Sequence, residues 1–194
     1  MKVGLFFGSF NPVHNGHLML AHYFAEFTEL DQVWFVVSPQ NPFKERTNLL
    51  DQYQRLALVQ DSIKENPRLR ASDIEFSLNL PSYTIDTLSY LSEKFNHQFY
   101  LIMGADLLRS FHNWKNHKSI LDNYRILVYP RGDYEDIELL AHDHVEVCEA
   151  PRFEISSTFI RKAIREGKSI RHFVPDCILE ELQSSIFYKG LRNG

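Results

Sequence analysis

Apolar residues along this chain follow two alternating rhythms. Nearly unbroken runs of β-branched and aromatic residues occupy positions 3–7, 33–38, 99–103 and 124–129, each bounded by polar positions. Runs of this kind predict strands buried on both faces of a parallel sheet. Residues 70–76 and 144–148 are weaker strand candidates, the latter through its Val145/Val147 alternation. Between the runs the apolar spacing changes to i, i+3, i+4. Leu18, Ala21, Phe24 and Ala25 follow Asn15 as the expected cap; Leu56, Val59 and Ile63 form a second set, and Ile85, Leu88, Leu91 and Phe95 a third. These spacings predict amphipathic helices. Two more are predicted over 159–164, closed by Gly167, and over 178–186 after Pro175-Asp176.

A β-α-β-α order predicts an α/β fold: a doubly wound, mainly parallel sheet with right-handed crossovers and a small helical part at the C-terminus. No repeat, low-complexity stretch or Pro/Gly/Ser linker divides the chain, so residues 1–194 read as one domain. The acidic, histidine-containing stretch 133–143 is expected to be a solvated helix or loop at the sheet edge. Such sheets bind ligands at the carboxyl ends of their strands, near the switch point of the topology. The turn after the first strand is therefore where chemistry is expected.

Composition changes this picture mainly by exclusion. At 194 residues, 44% hydrophobic and 24% charged, the chain has ordinary globular usage and length enough for a real core. A disordered tail, a collagen-like fibre and a disulfide mini-scaffold are ruled out. The net charge of −4 gives no broad attraction for nucleic acid or anionic membrane, so any phosphate must be held by a few focused groups. Cys148 and Cys177 form no framework and are expected to be reduced thiols. The N-terminal MKVGLFFGSF is a poor signal peptide, and no segment approaches the ~18 apolar residues of a membrane span. A soluble, cytoplasmic protein with no nucleic-acid or membrane partner is expected; no pattern sets its oligomeric state.

The first turn reads Phe7-Gly8-Ser9-Phe10-Asn11-Pro12-Val13-His14-Asn15-Gly16-His17. It contains neither GxGxxG nor GxxxxGK[ST], so the two commonest nucleotide motifs are absent. It offers instead a Gly-Ser turn followed by His-x-Gly-His at a helix start. There two imidazoles can face one ligand beside exposed N–H groups, and Gly16 allows a close backbone approach. Such a site suits an anion, including charge developing on a transferring phosphoryl group. With nine histidines and eight glycines, chance supplies this four-residue pattern about 0.02 times in such a chain. Zinc would need three or four ligands, and no Cys or carboxylate lies near in sequence, so no metal ligand is assigned. A purely structural helix start remains the plain alternative.

A second cluster is Ile155-Ser156-Ser157-Thr158-Phe159-Ile160-Arg161, where hydroxyls and N–H groups at a helix start precede an arginine by one turn. Alone it reads as an ordinary cap with a surface Arg; a second anion-ready helix start in the same chain shifts that balance. The loop after the second strand, Ser38 to Arg46, is stiffened by Pro39 and Pro42 and carries Lys44 as an inward-reaching or merely solvated charge.

These residues resemble the nucleotidyltransferase superfamily whose signature is HxGH near the N-terminus and [ST]-x-x-R in the C-terminal part. Within it, the chain is similar to the bacterial nicotinate-nucleotide adenylyltransferase family over about residues 2–188. Pro81-Ser82-Tyr83-Thr84-Ile85-Asp86-Thr87-Leu88 resembles that family's P-S-Y-T-x-x-T-L block. Leu101-Ile102-Met103-Gly104-Ala105-Asp106, with Phe111 and Trp114, resembles its I-x-G-x-D…F…W block, and residues 169–175 its closing S-I-R-Y-L-V-P segment. Two stretches depart: many members have Gly-Gly-Thr-Phe-Asp where this chain has Phe7-Gly8-Ser9-Phe10-Asn11, and many have His where it has Phe43.

The resemblance implies a Rossmann-like nucleotidyltransferase fold and transfer of the adenylyl group of ATP, carried with Mg²⁺, to nicotinate mononucleotide. It implies that ATP lies over Gly8, Ser9, Phe10 and Gly16. Its phosphates would meet His14, His17, Lys44 and Arg161 beside Ile155, Ser156 and Ser157, and its ribose Gly104 and Asp106. The mononucleotide would meet Ser9, Lys44 and Ser82, its carboxylate the N–H groups of Tyr83 and Thr84, and its ring Trp114. His14, His17, Lys44 and Arg161 are the implied catalytic set. An N-terminal nest suits an acid better than an amide. The same chemistry on nicotinamide mononucleotide or phosphopantetheine is the nearest alternative, and a non-catalytic nucleotide sensor the more distant one. Without the resemblance, Trp114 reads as a core or lid anchor, and Asp106 and residues 82–84 as helix caps.

Overall fold

A computed structural model describes residues 1–39, 49–132 and 137–190. Among these, six strands form one sheet: β1 (Lys2–Gly8), β2 (Gln32–Val37), β3 (Leu69–Ser72), β4 (Gln98–Gly104), β5 (Arg125–Tyr129) and β6 (Val145–Val147). Their order is β3-β2-β1-β4-β5-β6, and every neighbouring pair is parallel. Leu5 at the centre of β1 is level with Trp34 of β2 and Leu101 of β4.

Strand periodicity explains the unbroken apolar runs. Val3, Leu5, Trp34, Val36, Leu101 and Met103 point into one buried layer, while Phe6, Phe35, Val37 and Ile102 point into the other. Both faces of the central strands must therefore be apolar. Helices α1 (Asn15–Phe27), α2 (Gln52–Ile63), α6 (Ser157–Arg165), α7 (Asp176–Ser184) and α8 (Ile186–Gly190) contribute to the second layer. Helices α3 (Thr84–Lys94), α4 (Ala105–Leu108) and α5 (His117–Asn123) contribute to the first. The chain leaves β1 toward β2 on one side and reaches β4 on the other, so the switch point lies between the carboxyl ends of β1 and β4.

Several expectations shift in detail. The cap of α1 is His14, with Asn15 the first helical residue; the Asn15 side chain instead donates to the carbonyl of His172 at 2.7 Å. The 70–76 candidate divides into β3 and a 3₁₀ turn, Ile74–Ser77. The single helix expected over 178–186 breaks at Ser185 into α7 and α8. Helices α4 and α5 add to the expected set, because four and seven residues are too short to establish a 3.6-residue period. Of the acidic 133–143 stretch, residues 133–136 lie outside the described residues, and Glu138–Ala141 forms a 3₁₀ turn. Among the described residues, no helix is long and apolar enough to cross a membrane.

Candidate active site

Gly8 and Gly104 end the two strands that flank the switch point. A Cβ on Gly8 would come within 2.8 Å of the Phe10 ring, so the turn closes over that ring only because the position is glycine. Phe10 itself has φ 43° and is buried, its ring edge-on to Phe6 and to His17 at 5.8 and 5.1 Å between centroids. An aromatic peg under the turn thus orients the start of α1.

At that start the His14 N–H donates to Nδ1 of His17 at 3.2 Å, and the two rings stack at 3.5 Å with 24° between their planes. With its Nδ1 accepting, the neutral His17 ring carries its hydrogen on Nε2. His14 is only 4% exposed, and its Nδ1 has no hydrogen-bond partner in the protein. Burial, with a smaller contribution from the positive charge of Arg131, pulls its pKa down to about 4. At neutral pH it is an uncharged imidazole, and a buried, unsatisfied ring nitrogen costs about 1–3 kcal/mol until something meets it. A Cβ on Gly16 would stand 3.1 Å from that nitrogen, which explains the glycine between the two histidines.

The far end of the chain folds onto this turn. Ser156 caps α6, its hydroxyl accepting from the Phe159 N–H at 3.2 Å. One position on, Ser157 donates to the Pro12 carbonyl at 2.9 Å, and Arg161 Nη1 donates to the Asn11 carbonyl at 2.8 Å. These bonds span 145 and 150 residues of sequence. They bring both helix starts to one cleft of about 590 Å³, lined by Gly8, Ser9, Phe10, His14, Gly16, His17, Gly104, Asp106, Ile155, Ser156, Ser157 and Arg161. Twelve of the thirteen positions expected to meet ATP therefore border a single cavity; the thirteenth, Lys44, falls outside the described residues.

The residues expected to meet the second substrate are placed differently. Ser82, Tyr83, Thr84 and Trp114 do not line this cleft. Ser82 is buried and donates to Glu75 at 3.0 Å; Lys115 Nζ lies 4.7 Å above the Tyr83 ring; Trp114 packs against Phe111 at 5.3 Å. The cap of α3, Tyr83, makes no side-chain capping bond. Lys44 lies outside the described residues.

Several residues of the site carry no legible signal in the sequence. Arg131, just past β5, faces the cleft with its Nε 3.6 Å from Asp106; its place after a strand's carboxyl end is the one available clue. Arg55 sits inside an ordinary amphipathic pattern yet is 1% exposed, and it donates to the carbonyls of Ser9 (2.6 Å), Ser38 (2.8 Å), Leu50 (2.8 Å) and Pro39 (3.2 Å). One guanidinium thereby ties together the loops that leave β1 and β2. Glu75 is 2% exposed and accepts from Ser82 and from Thr87 (2.9 Å); burial raises its pKa, and those hydroxyls partly offset the rise. Among the described residues, no group of three or more His, Cys, Asp or Glu is placed to hold a metal ion.

A Rossmann-type sheet with two helix starts converging on one anion-ready cleft at its switch point is the architecture of a nucleotidyltransferase. The profile of the cytidylyltransferase-like family matches residues 5–163. A probable nicotinate-nucleotide adenylyltransferase of Cytophaga hutchinsonii is 51% identical over 191 residues, covering 98% of this chain and 100% of that protein. One of Flavobacterium johnsoniae is 48% identical, covering 97% and 100%. Among solved structures, a Plasmodium falciparum nicotinic acid mononucleotide adenylyltransferase complexed with NaAD aligns with a TM-score of 0.76 at 18% identity, over 93% of this chain and 95% of the other, a likeness of fold. The chain belongs to the cytidylyltransferase-like family and, within it, to the nicotinate-nucleotide adenylyltransferases.

Proposed function

We propose that this protein joins ATP and nicotinate mononucleotide to give deamido-NAD and pyrophosphate, a step of NAD biosynthesis. A 5′-phosphate oxygen of the mononucleotide attacks the α-phosphorus of ATP in line, and the bond from that phosphorus to the bridging oxygen of pyrophosphate breaks. The attacking phosphate is already ionised at neutral pH, so neither a general base nor a covalent enzyme intermediate is required. Catalysis is then positioning plus stabilisation of charge that grows on the transferring and leaving groups.

The observation that carries this reading is the convergence of His14, His17 and Arg161 on one cleft from opposite ends of the chain. In this assignment His17 and Arg161 donate to the phosphates. The uncharged His14 ring lines the cleft beside them, and the amides at the start of α6 complete the anion site. Lys44 adds a point charge from the β2–α2 loop. Gly104 lets the Asp106 carboxylate pack close over the strand end, where it accepts hydrogen bonds from the ribose hydroxyls. Magnesium enters as part of the ATP substrate, held by phosphate oxygens and water, since Asp106, the carboxylate lining the cleft among the described residues, already faces Arg131. The nicotinate carboxylate meets the uncapped N–H groups at Tyr83 and Thr84, and its ring stacks on Trp114. The buried Cys148 thiol, pushed up to about 12 by burial, is a poor nucleophile at neutral pH.

The test is an acceptor panel with ATP and magnesium, following pyrophosphate release and the mass of the product. Deamido-NAD formed fastest from nicotinate mononucleotide is the expected result. Faster reaction with nicotinamide mononucleotide or phosphopantetheine would reassign the acceptor. ATP binding without pyrophosphate release from any acceptor would make the protein a sensor.

A further inference from the structure

The C-terminal helix α8 sends one side chain to the centre of the molecule. Tyr188 is fully buried, and its hydroxyl donates to Oδ1 of Asn11 at 2.9 Å, across 177 residues of sequence. Burial raises the phenol's pKa, so it remains a donor at any working pH. The same Oδ1 accepts the Leu50 N–H at 3.2 Å, and the carbonyl of the same Asn11 accepts Arg161 Nη1 at 2.8 Å. Asn11 is itself 3% exposed. Three segments thus meet on one residue of the first turn: the C-terminal helix, the entry to α2 and the arginine of α6.

We infer that Tyr188 is a positioning residue for adenylyl transfer: through Asn11 it fixes the carbonyl on which the Arg161 guanidinium is aimed. The inference rests on the role given to Arg161 above. A guanidinium that contributes by lying where charge develops loses effect when its support shifts by a fraction of an ångström. A hydroxyl bonded to the supporting side chain sets that position without touching substrate. Removing the hydroxyl leaves the Asn11 carboxamide oxygen with one fewer donor in a buried place, and the turn relaxes.

Tyr188→Phe removes the hydroxyl and keeps the ring, so the packing of α8 is retained. Its kcat is expected to fall about ten-fold, with the KM for ATP and for the acceptor each within about two-fold, assayed well below a melting temperature measured for each variant. The deciding measurement is a double-mutant cycle with Arg161→Ala. If Tyr188 acts through Arg161, Tyr188→Phe costs nothing further in the Arg161→Ala protein. Equal losses in both backgrounds, or no loss in the native one, would overturn the proposal. Should Tyr188→Phe fail to fold, Asn11→Ala takes its place in the cycle with the same expected coupling. If Arg161→Ala alone leaves kcat intact, the role of Arg161 falls first and the inference with it, a result distinguishable from additive losses.

Discussion

In the proposed assignment the two substrates meet different kinds of surface. On the triphosphate side, side chains from α1 and α6 aim polar groups into one cleft, and a buried imidazole nitrogen is left without a protein partner. On the acceptor side the side chains are already occupied: Ser82 and Thr87 by Glu75, Tyr83 beneath Lys115, Trp114 against Phe111. The contrast teaches a division of labour. In that assignment, groups held ready in the cleft act on charge that develops during reaction, whereas a backbone nest and a ring face act on the ground-state substrate. Variants on the first side should therefore lower kcat, and variants on the second should raise one KM.

The largest effect is expected at His17. His17→Ala should lower kcat by about 10²–10³ while the equilibrium affinity for ATP changes little; measured turnover near the native value would break the comparison. Gly16→Ala comes next. Its Cβ would press on the His14 ring from 3.1 Å, and a displaced imidazole should cost tens of fold in kcat, on the order seen when reacting groups are slightly misplaced. Steady-state rates beside a melting curve check that the loss is not one of folding.

A third test is by pH. His14 titrates near 4 in the folded protein but near 6.5 when unfolded, so between those values the unfolded chain binds the extra proton. Stability is therefore lost as pH falls from about 6.5 toward 4, and His14 should account for about 2 kcal/mol of the loss between pH 7 and pH 5. Urea unfolding of the native protein and of His14→Asn at both pH values checks this; the variant should lose correspondingly less. The smallest effect belongs to the acceptor side. Trp114→Ala should raise the KM for the mononucleotide about ten-fold, the scale of one lost stacking contact, leaving the KM for ATP unchanged. Equal changes in both would make Trp114 a structural anchor.

How much of the molecule is legible in its sequence depends on how local each signal is. The four central strands and the first three helices declare themselves because each is long enough to repeat its own period. The paired helix starts at His14–His17 and Ser156–Arg161 are local motifs and are legible for the same reason. Arg55, Glu75 and Tyr188 are not. Each is a polar residue inside an unexceptional stretch, and its meaning lies in carbonyls and hydroxyls contributed by distant loops, such as Ser9 and Ser38 for Arg55. Propensity points to Asn15 as a cap, but the imidazole of His17 bonds the backbone one residue earlier and moves the helix start with it.

The most direct test of the single phosphate-gripping cleft is a crystal structure of the protein with an ATP analogue bridged by carbon between its α- and β-phosphorus atoms, together with nicotinate mononucleotide. The account predicts phosphate oxygens within about 3 Å of both the His17 ring and the Arg161 guanidinium, with the mononucleotide carboxylate at the start of α3. A well-ordered triphosphate bound elsewhere, or one touching only one of those two helix starts, would contradict it.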